Sequence, residues 1–107
     1  MVKVGKENYD AEVLQAETPV IVDFWGPGCA PCLMLMPQVE AAAEKYQGRV
    51  KFCKLNSAEN HRLCINLKVL GLPAFLAYKN GEEVRRVSGY DVKMEDIVQL
   101  AEELLLM

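Results

Sequence analysis

Two cysteines separated by two residues, Cys29 and Cys32, are the residues best placed for chemistry. They follow an apolar segment that predicts a buried strand, and they begin a segment that predicts a helix. The first turn of a helix has free N–H groups and the positive end of the helix dipole, so a thiolate is stabilised there. Pro31 suits that first turn. The spacing predicts thiol–disulfide exchange, in which Cys29 attacks a substrate disulfide and Cys32 resolves the mixed disulfide.

Two other interpretations of the pair are a buried inert pair and half of a zinc site. A zinc ribbon needs a second pair of closely spaced cysteines, but Cys53 and Cys64 are separated by ten residues and fall on different predicted elements. His61 lies in a polar stretch, so it is a poor candidate for a further ligand. Redox chemistry is therefore favoured. We expect Cys53 and Cys64 to be small buried core residues, with a regulatory thiol as the alternative.

The elements that must position the pair are alternating strands and helices. Hydrophobic patterning predicts strands over residues 2–4, 20–25, 50–55, 74–79 and 82–88, and helices over 8–16, 29 or 32–47, 59–67 and 94–105. Asn8 is expected to cap the first helix. The dipeptide Asn80-Gly81 predicts a hairpin. The order βαβαβαββα predicts an α/β domain whose central mixed β-sheet has about five strands flanked by about four helices.

Length and charge exclude several classes of function. The chain has 107 residues, so we expect one domain over residues 1–107. Its 12 basic and 15 acidic residues give a net charge of −3, which argues against nucleic-acid binding. No apolar run approaches the length of a membrane span. The first residues have no apolar segment typical of a secretory signal, so we expect a cytoplasmic protein that is not bound to a membrane.

The chain resembles the thioredoxin family over essentially its whole length. The matching segments are 22–25, 29–32, Pro37, 54–56, 71–73, 79–81 and 88–89. The resemblance implies the thioredoxin fold and a protein-disulfide reductase that acts as an electron carrier. It also implies a redox-active Cys29–Cys32 disulfide, with no metal, flavin or nucleotide cofactor. The implied partners are protein disulfides and a thioredoxin reductase, either an NADPH-dependent flavoprotein or a ferredoxin-linked enzyme, and a monomer is expected.

The resemblance also implies a catalytic role for five residues. Cys29 is the nucleophile and Cys32 the resolving thiol. Asp23 is a buried carboxylate that takes the proton from Cys32 through water, Lys54 lies beside that carboxylate, and Pro73 is a cis-proline whose loop faces the disulfide and pairs with substrate backbone. The residue types agree with these roles. Asp23 interrupts an apolar strand, where burial should raise the pKa of its carboxyl group. Each role has an alternative. Asp23 would be a carboxylate satisfied by hydrogen bonds alone, Lys54 an edge-facing surface lysine, and Pro73 an ordinary trans proline.

Substrate contacts are expected from the loops around the pair: Trp25, Pro27, Gly28, Ala30, Pro31, Leu33, Leu72 and Gly89. Several positions around the pair depart from the family pattern, among them the loop residues Gly26 and Pro27. Gly28 stands where most thioredoxins have tryptophan, Ala30 where they have glycine, and Leu33 where they have lysine or arginine. We therefore expect an almost uncharged surface around Cys29, with room at position 28 for a bulky side chain of a partner.

Two alternative functions remain open at this point. One is a thioredoxin-like binding module whose redox activity is incidental, although the two cysteines together with Asp23 count against it. The other is a glutathione-dependent relative, which fits Asp23 and Lys54 less well than a thioredoxin does. Reduction of a disulfide protein separates a carrier from a binding module.

Overall fold

The computed structural model describes residues 1–107, which form one five-stranded sheet with helices on both faces. The strands are β1 (Val2–Lys3), β2 (Val20–Trp25), β3 (Lys51–Asn56), β4 (Ala74–Lys79) and β5 (Glu82–Ser88). The helices are a π-helical turn (Asp10–Leu14), α1 (Ala30–Lys45), a 3₁₀ turn (Ser57–Glu59), α2 (His61–Asn66) and α3 (Met94–Leu106). This arrangement confirms the predicted α/β class with its mixed sheet of five strands and four main helices.

Strand β2 lies at the centre of the sheet, whose order is β1-β3-β2-β4-β5. It pairs in parallel with β3 and antiparallel with β4. Five of its six residues are buried, because helices cover both faces of the sheet at this strand. That double burial is why its sequence is a nearly continuous apolar run. Asp23 is the single polar residue of β2, and it is buried because the apolar residues on both sides of it place the strand in the interior.

The two faces of the sheet have separate apolar cores. One core contains Tyr9, Val22, Phe24, Leu55 and Leu76, and the other contains Ile21, Val39, Phe75, Ile97 and Leu104. Successive strand residues point to opposite faces, so Asp23 lies on the Ile21 face. Helices α1 and α3 cover this same face. The buried carboxylate and the helix that begins after Cys29 therefore belong to the same side of the sheet.

Both edges of the sheet are short or charged. The edge strand β1 has two residues, and it pairs only with β3. The other edge, β5, is mostly exposed and carries two glutamates and two arginines among its seven residues. The β4–β5 pairing also has an irregularity between Ala77 and Tyr78. These are features that prevent further strands from adding to a sheet.

The predicted hairpin is confirmed at Asn80-Gly81. Both residues have positive φ angles, 54° and 82°, as a two-residue turn of this kind requires. A Cβ atom on Gly81 would lie 2.8 Å from the carbonyl oxygen of Leu14. Glycine at this position therefore serves both the turn and its close packing against the π-helical turn.

Two predicted helices differ from the structure, and asparagine side chains explain both differences. Asn8 does not cap the first helix, because its Oδ1 accepts a hydrogen bond from Gly5 N and its Nδ2 donates to Lys3 O. The chain after Asn8 forms only the short π-helical turn. The helix predicted over 59–67 is interrupted at Asn60, which accepts a hydrogen bond from Lys6 N. The hydrogen bonds of Asn8 are with nearby residues, whereas the contact between Lys6 and Asn60 is long-range and leaves no local signal in the sequence.

No helix in the structure combines the length and the apolar character that crossing a membrane would require.

Candidate active site

Cys29 lies at the junction between a loop and helix α1. The loop 26–28 contains two glycines and a proline, and it carries the chain from the buried end of β2 to the surface. Cys29 has an extended backbone and is the N-cap of α1. Its Sγ accepts a hydrogen bond from Cys32 N at 3.3 Å, and Pro31 occupies the first turn. A sulfur held by a helix N-terminal N–H is positioned to be stabilised as an anion.

The two sulfurs form a disulfide, with the Cα atoms of Cys29 and Cys32 5.3 Å apart. Cys29 exposes 6% of its surface and Cys32 1%. Cys29 also lines an open pocket at the surface, whereas Cys32 does not. The order of exposure agrees with an outer, attacking sulfur and an inner, resolving sulfur.

Asp23 is the only charged residue among the buried side chains, and it exposes 1% of its surface. Neither of its carboxylate oxygens accepts a hydrogen bond from the protein. No group of the protein therefore satisfies this carboxylate by hydrogen bonding. Burial raises the pKa of Asp23 to about 7, and the nearby charge of Lys54 opposes part of this rise. A carboxyl group with such a pKa can take up and release a proton near neutral pH.

Lys54 stands opposite Asp23 in the β2–β3 register. The alternative of an edge-facing surface lysine is wrong, because β3 lies between β1 and β2 rather than at an edge. The lysine side chain is 31% exposed, and its Nζ lies 3.6 Å from Oε2 of Glu40 on helix α1. Its positive charge stabilises the ionised form of Asp23, so the ion pair with Glu40 contributes to the electrostatics of the site.

The Leu72–Pro73 peptide bond is cis, as the resemblance implies. Pro73 is buried directly before β4, and the next residue, Ala74, pairs with Phe24 near the end of β2. The carbonyl of Pro73 accepts a hydrogen bond of 3.0 Å from Gly89 N. These contacts bring the loop before β4, the end of β2 and the turn after β5 to one place. Leu72 remains partly exposed there.

An open pocket of about 440 Å³ lies next to Cys29. We call it the Cys29 pocket and define it by its lining residues: Gly26, Pro27, Gly28, Cys29, Ser57, Ala58, Leu72 and Tyr90. None of them carries a charge, as expected for this surface. Of the predicted contact residues, Pro27, Gly28 and Leu72 line the pocket. The remainder lie outside it, namely Trp25, Ala30, Pro31, Leu33 and Gly89.

Four residues of the Cys29 pocket were not among the predicted site residues: Gly26, Ser57, Ala58 and Tyr90. Ser57 follows β3, and its buried Oγ makes no hydrogen bond within the protein. Tyr90 follows β5 and exposes 76% of its surface. Their residue types carry no chemical signal. Only the strand order, which places the ends of β2, β3 and the start of β4 side by side, could have indicated them.

Cys53 and Cys64 are free thiols buried in the core on the opposite face of the sheet from Asp23. This confirms their prediction as small core residues. Burial raises the pKa of the Cys53 thiol to about 11, so it remains protonated at neutral pH. The structure has no group of three or more His, Cys, Asp or Glu side chains arranged to hold a metal ion.

The disulfide at a helix N-terminus shares a pocket with the residue before a cis-proline and lies on the same side of the sheet as a buried carboxylate, which are features of a thiol–disulfide oxidoreductase. The comparisons with known proteins agree. The thioredoxin family model matches residues 1–103, so the chain belongs to the thioredoxin family. Members of this family transfer electrons through a redox-active disulfide without an external cofactor, and their partners are a reductase and disulfide-containing proteins.

Several curated proteins are similar to the chain. A thioredoxin from Peptoclostridium acidaminophilum is 45% identical over 97 residues, which cover 91% of this chain and 88% of that protein. A thioredoxin from Acetoanaerobium sticklandii is 34% identical over 105 residues, covering 98% of this chain and all of that protein. Thioredoxin 1 from Nostoc is 36% identical over 87 residues, covering 81% of each. The chain is thus a thiol–disulfide oxidoreductase of the thioredoxin type.

Proposed function

We propose that the protein reduces protein disulfides, with Cys29 as nucleophile, Cys32 as resolving thiol and Asp23 as proton acceptor. The observation that carries this proposal is the position of the pair: Cys29 Sγ accepts a helix N-terminal N–H, on the same side of the sheet as an unpartnered buried carboxylate. A binding module would have no need of that carboxylate, because burying it destabilises the fold.

In the first step the thiolate of Cys29 attacks one sulfur of a substrate disulfide. A mixed disulfide between Cys29 and the substrate forms, and the other substrate sulfur leaves as a thiolate that takes a proton from water. The hydrogen bond from Cys32 N stabilises negative charge on the Cys29 sulfur before the attack. The pocket beside Cys29 gives the substrate its approach.

In the second step Cys32 must lose its proton in a buried position, where apolar surroundings disfavour a thiolate. Asp23 accepts that proton, since its pKa of about 7 makes it an effective base near neutral pH. The Cys32 thiolate then attacks Cys29 Sγ. The bond between Cys29 and the substrate breaks as the intramolecular disulfide forms, and the second substrate sulfur leaves as a thiolate that takes a proton from water. Two electrons have passed from the protein to the substrate. Lys54 acts on this step by favouring the ionised form of Asp23.

Docking in this proposal uses the loop at Pro73 and the surface around Cys29. An extended substrate segment pairs with the backbone before Pro73, while side chains lie against Trp25, Ala30, Pro31, Leu33 and Gly89 and in the Cys29 pocket. Residues 1–107 act as one domain and as a monomer. Electrons come from a thioredoxin reductase, either an NADPH-dependent flavoprotein or a ferredoxin-linked enzyme. The free thiols Cys53 and Cys64 favour a reducing compartment such as the cytoplasm.

The test is the reduction of insulin, first with dithiothreitol as electron donor and then with each class of reductase. The proposal expects rapid insulin reduction with dithiothreitol, loss of that activity in Cys29→Ser, and turnover with one of the two reductases. A protein that binds insulin or another partner but does not accelerate reduction would instead be the binding module.

A further inference from the structure

Tyr90 is an exposed aromatic residue in a pocket that also contains the nucleophile. Its position is set by contacts of the turn after β5. Ser88 pairs with Ala74, Gly89 N donates to the carbonyl of Pro73, and Val92 N donates to the carbonyl of Gly89 at 3.2 Å. This turn is therefore tied to the same loop that presents Leu72, and Tyr90 is held as part of the wall beside Cys29.

Two glycines that line the Cys29 pocket differ in the space beside them. A Cβ atom on Gly26 would lie 3.3 Å from Cδ1 of Leu72, so the chain packs closely there. A Cβ atom on Gly28 would meet no atom within 4 Å. The space next to the nucleophile is consequently bounded by Leu72 and Tyr90 and open above Gly28.

The chemistry of the lining limits what can occupy this space. None of the eight lining residues is acidic or basic, so a charged side chain would lose water without gaining a partner. Tyr90 offers an aromatic surface that is largely open to solvent. The volume of about 440 Å³ lies within the range of pockets that hold small organic groups, and an aromatic side chain is well within it.

We propose that Tyr90 is a specificity-determining residue, and that the Cys29 pocket receives a bulky aromatic side chain next to the disulfide cysteine of an extended substrate. The proposal rests on the proposed function and names the preferred class of substrate. It is supported by the continuity of the pocket with the nucleophile, by the uncharged lining and by the open side at Gly28. Aromatic rings also gain from mutual contact beyond the area that they bury.

The experiment uses three disulfide-linked peptide dimers that are identical except for one residue beside the cysteine, which is Trp, Ala or Glu. The reduced protein is mixed with each dimer, and the second-order rate constant of exchange is measured by quenching and mass spectrometry. Dividing by the rate constant for dithiothreitol removes differences in the intrinsic reactivity of the dimers. We expect the order Trp, then Ala, then Glu for the natural chain.

Tyr90→Ala should lower the rate constant for the Trp dimer by roughly three- to tenfold and that for the Ala dimer by less than about twofold, because the lost contact is aromatic. Tyr90→Phe should keep the preference, and Gly28→Trp should abolish it by filling the open side. Leu106→Ala is the matched control, since Leu106 is a large exposed apolar residue outside the pocket, and it should change nothing.

A natural chain without preference for the Trp dimer would overturn the proposal. Equal losses on all three dimers in Tyr90→Ala, or the same selective loss in Leu106→Ala, would overturn it as well. In each of these cases reduction of the Ala dimer would still support the proposed function. Failure of the natural chain to reduce any of the dimers would contradict the proposed function itself.

Discussion

Cys29 and Cys64 expose the same fraction of their surface, 6%, yet their surroundings are opposite. Cys29 caps a helix, receives a backbone N–H and borders an open pocket. Cys64 lies inside the short helix α2 and packs in an apolar core with Cys53. The comparison teaches that burial alone does not separate a reactive cysteine from a structural one. The N–H donor to the sulfur and the access to it from an open pocket distinguish Cys29 from Cys64.

The largest expected effect separates the two sulfurs of the reactive pair. Cys32→Ser leaves Cys29 able to attack but removes the resolving step, so partner proteins should accumulate as stable mixed disulfides. Cys29→Ser should accumulate none, because Cys32 is buried. Non-reducing electrophoresis after incubation with insulin measures both. Equal trapping by the two variants would reverse the assignment of attacker and resolver.

Removing the charge of Asp23 should stabilise the fold and slow exchange. The pKa of Asp23 is raised from 3.8 to about 7, so the native state binds the extra proton between these pH values and its stability falls as the pH rises through this window. Asp23→Asn should therefore stabilise the protein at pH 8 by roughly 1–3 kcal/mol, a gain smaller than the full ionisation cost because a buried amide also lacks partners.

The gain in stability of Asp23→Asn should disappear near pH 4, where the natural carboxyl group is already protonated. Insulin reduction at neutral pH should fall at least roughly tenfold, since general-base assistance is lost. Thermal unfolding at both pH values and turnover are measured on the same preparations, with Asp23→Ala as a second variant. Normal turnover in a destabilised variant would reject Asp23 as the proton acceptor.

A smaller effect is expected from restoring the family pattern beside Cys29. Gly28→Trp together with Leu33→Lys adds an aromatic group and a cation near the nucleophile, and a nearby cation favours the thiolate. Alkylation of Cys29 by iodoacetamide near neutral pH should become several-fold faster. Reduction by an NADPH-dependent thioredoxin reductase should improve as well. If the alkylation rate and the rate of reduction both matched those of the natural chain, residues elsewhere on the surface would determine the choice of partner.

The smallest effect on exchange is expected from the core cysteines. Cys53→Ala and Cys64→Ala should leave insulin reduction unchanged, because neither thiol lines the Cys29 pocket. Each should destabilise the fold by about 1–2 kcal/mol through the small cavity that remains. Native Cys53 should resist iodoacetamide at pH 8, where a thiol with a pKa of about 11 is protonated. Loss of redox activity in either variant would indicate a regulatory thiol.

The sequence was sufficient for the parts of the fold that depend on local pattern. The bounds of β2, β4 and β5 agree with the prediction, because apolar runs and the Asn80-Gly81 turn mark them directly. The predicted first and third helices were too long. The Asn8 side chain binds the backbone of nearby residues before its helix, and the Asn60 side chain binds the backbone of Lys6 in a tertiary contact.

The residues of the site likewise include some that the sequence identified and some that it did not. Cys29, Cys32 and Asp23 were identified because their types stand out against the surrounding sequence. Tyr90 and Ser57 were missed because a tyrosine or serine after a strand is ordinary. They reach the nucleophile only through the order of the strands and through the hydrogen bond between Gly89 and Pro73. Residues of distinctive type can be recognised in a single sequence. Residues from distant loops that meet at the site cannot, because the order of the strands brings them together.

The short and charged edges of the sheet protect a protein with an uncharged surface around its nucleophile from strand addition and aggregation. A sheet with a long, flat edge would recruit the extended segments of its own clients and grow into aggregates. Here β1 offers two residues, and β5 offers a row of glutamates and arginines with an irregular register. In the proposed function, these edges leave the Pro73 loop beside the sulfur as the backbone with which an extended substrate pairs.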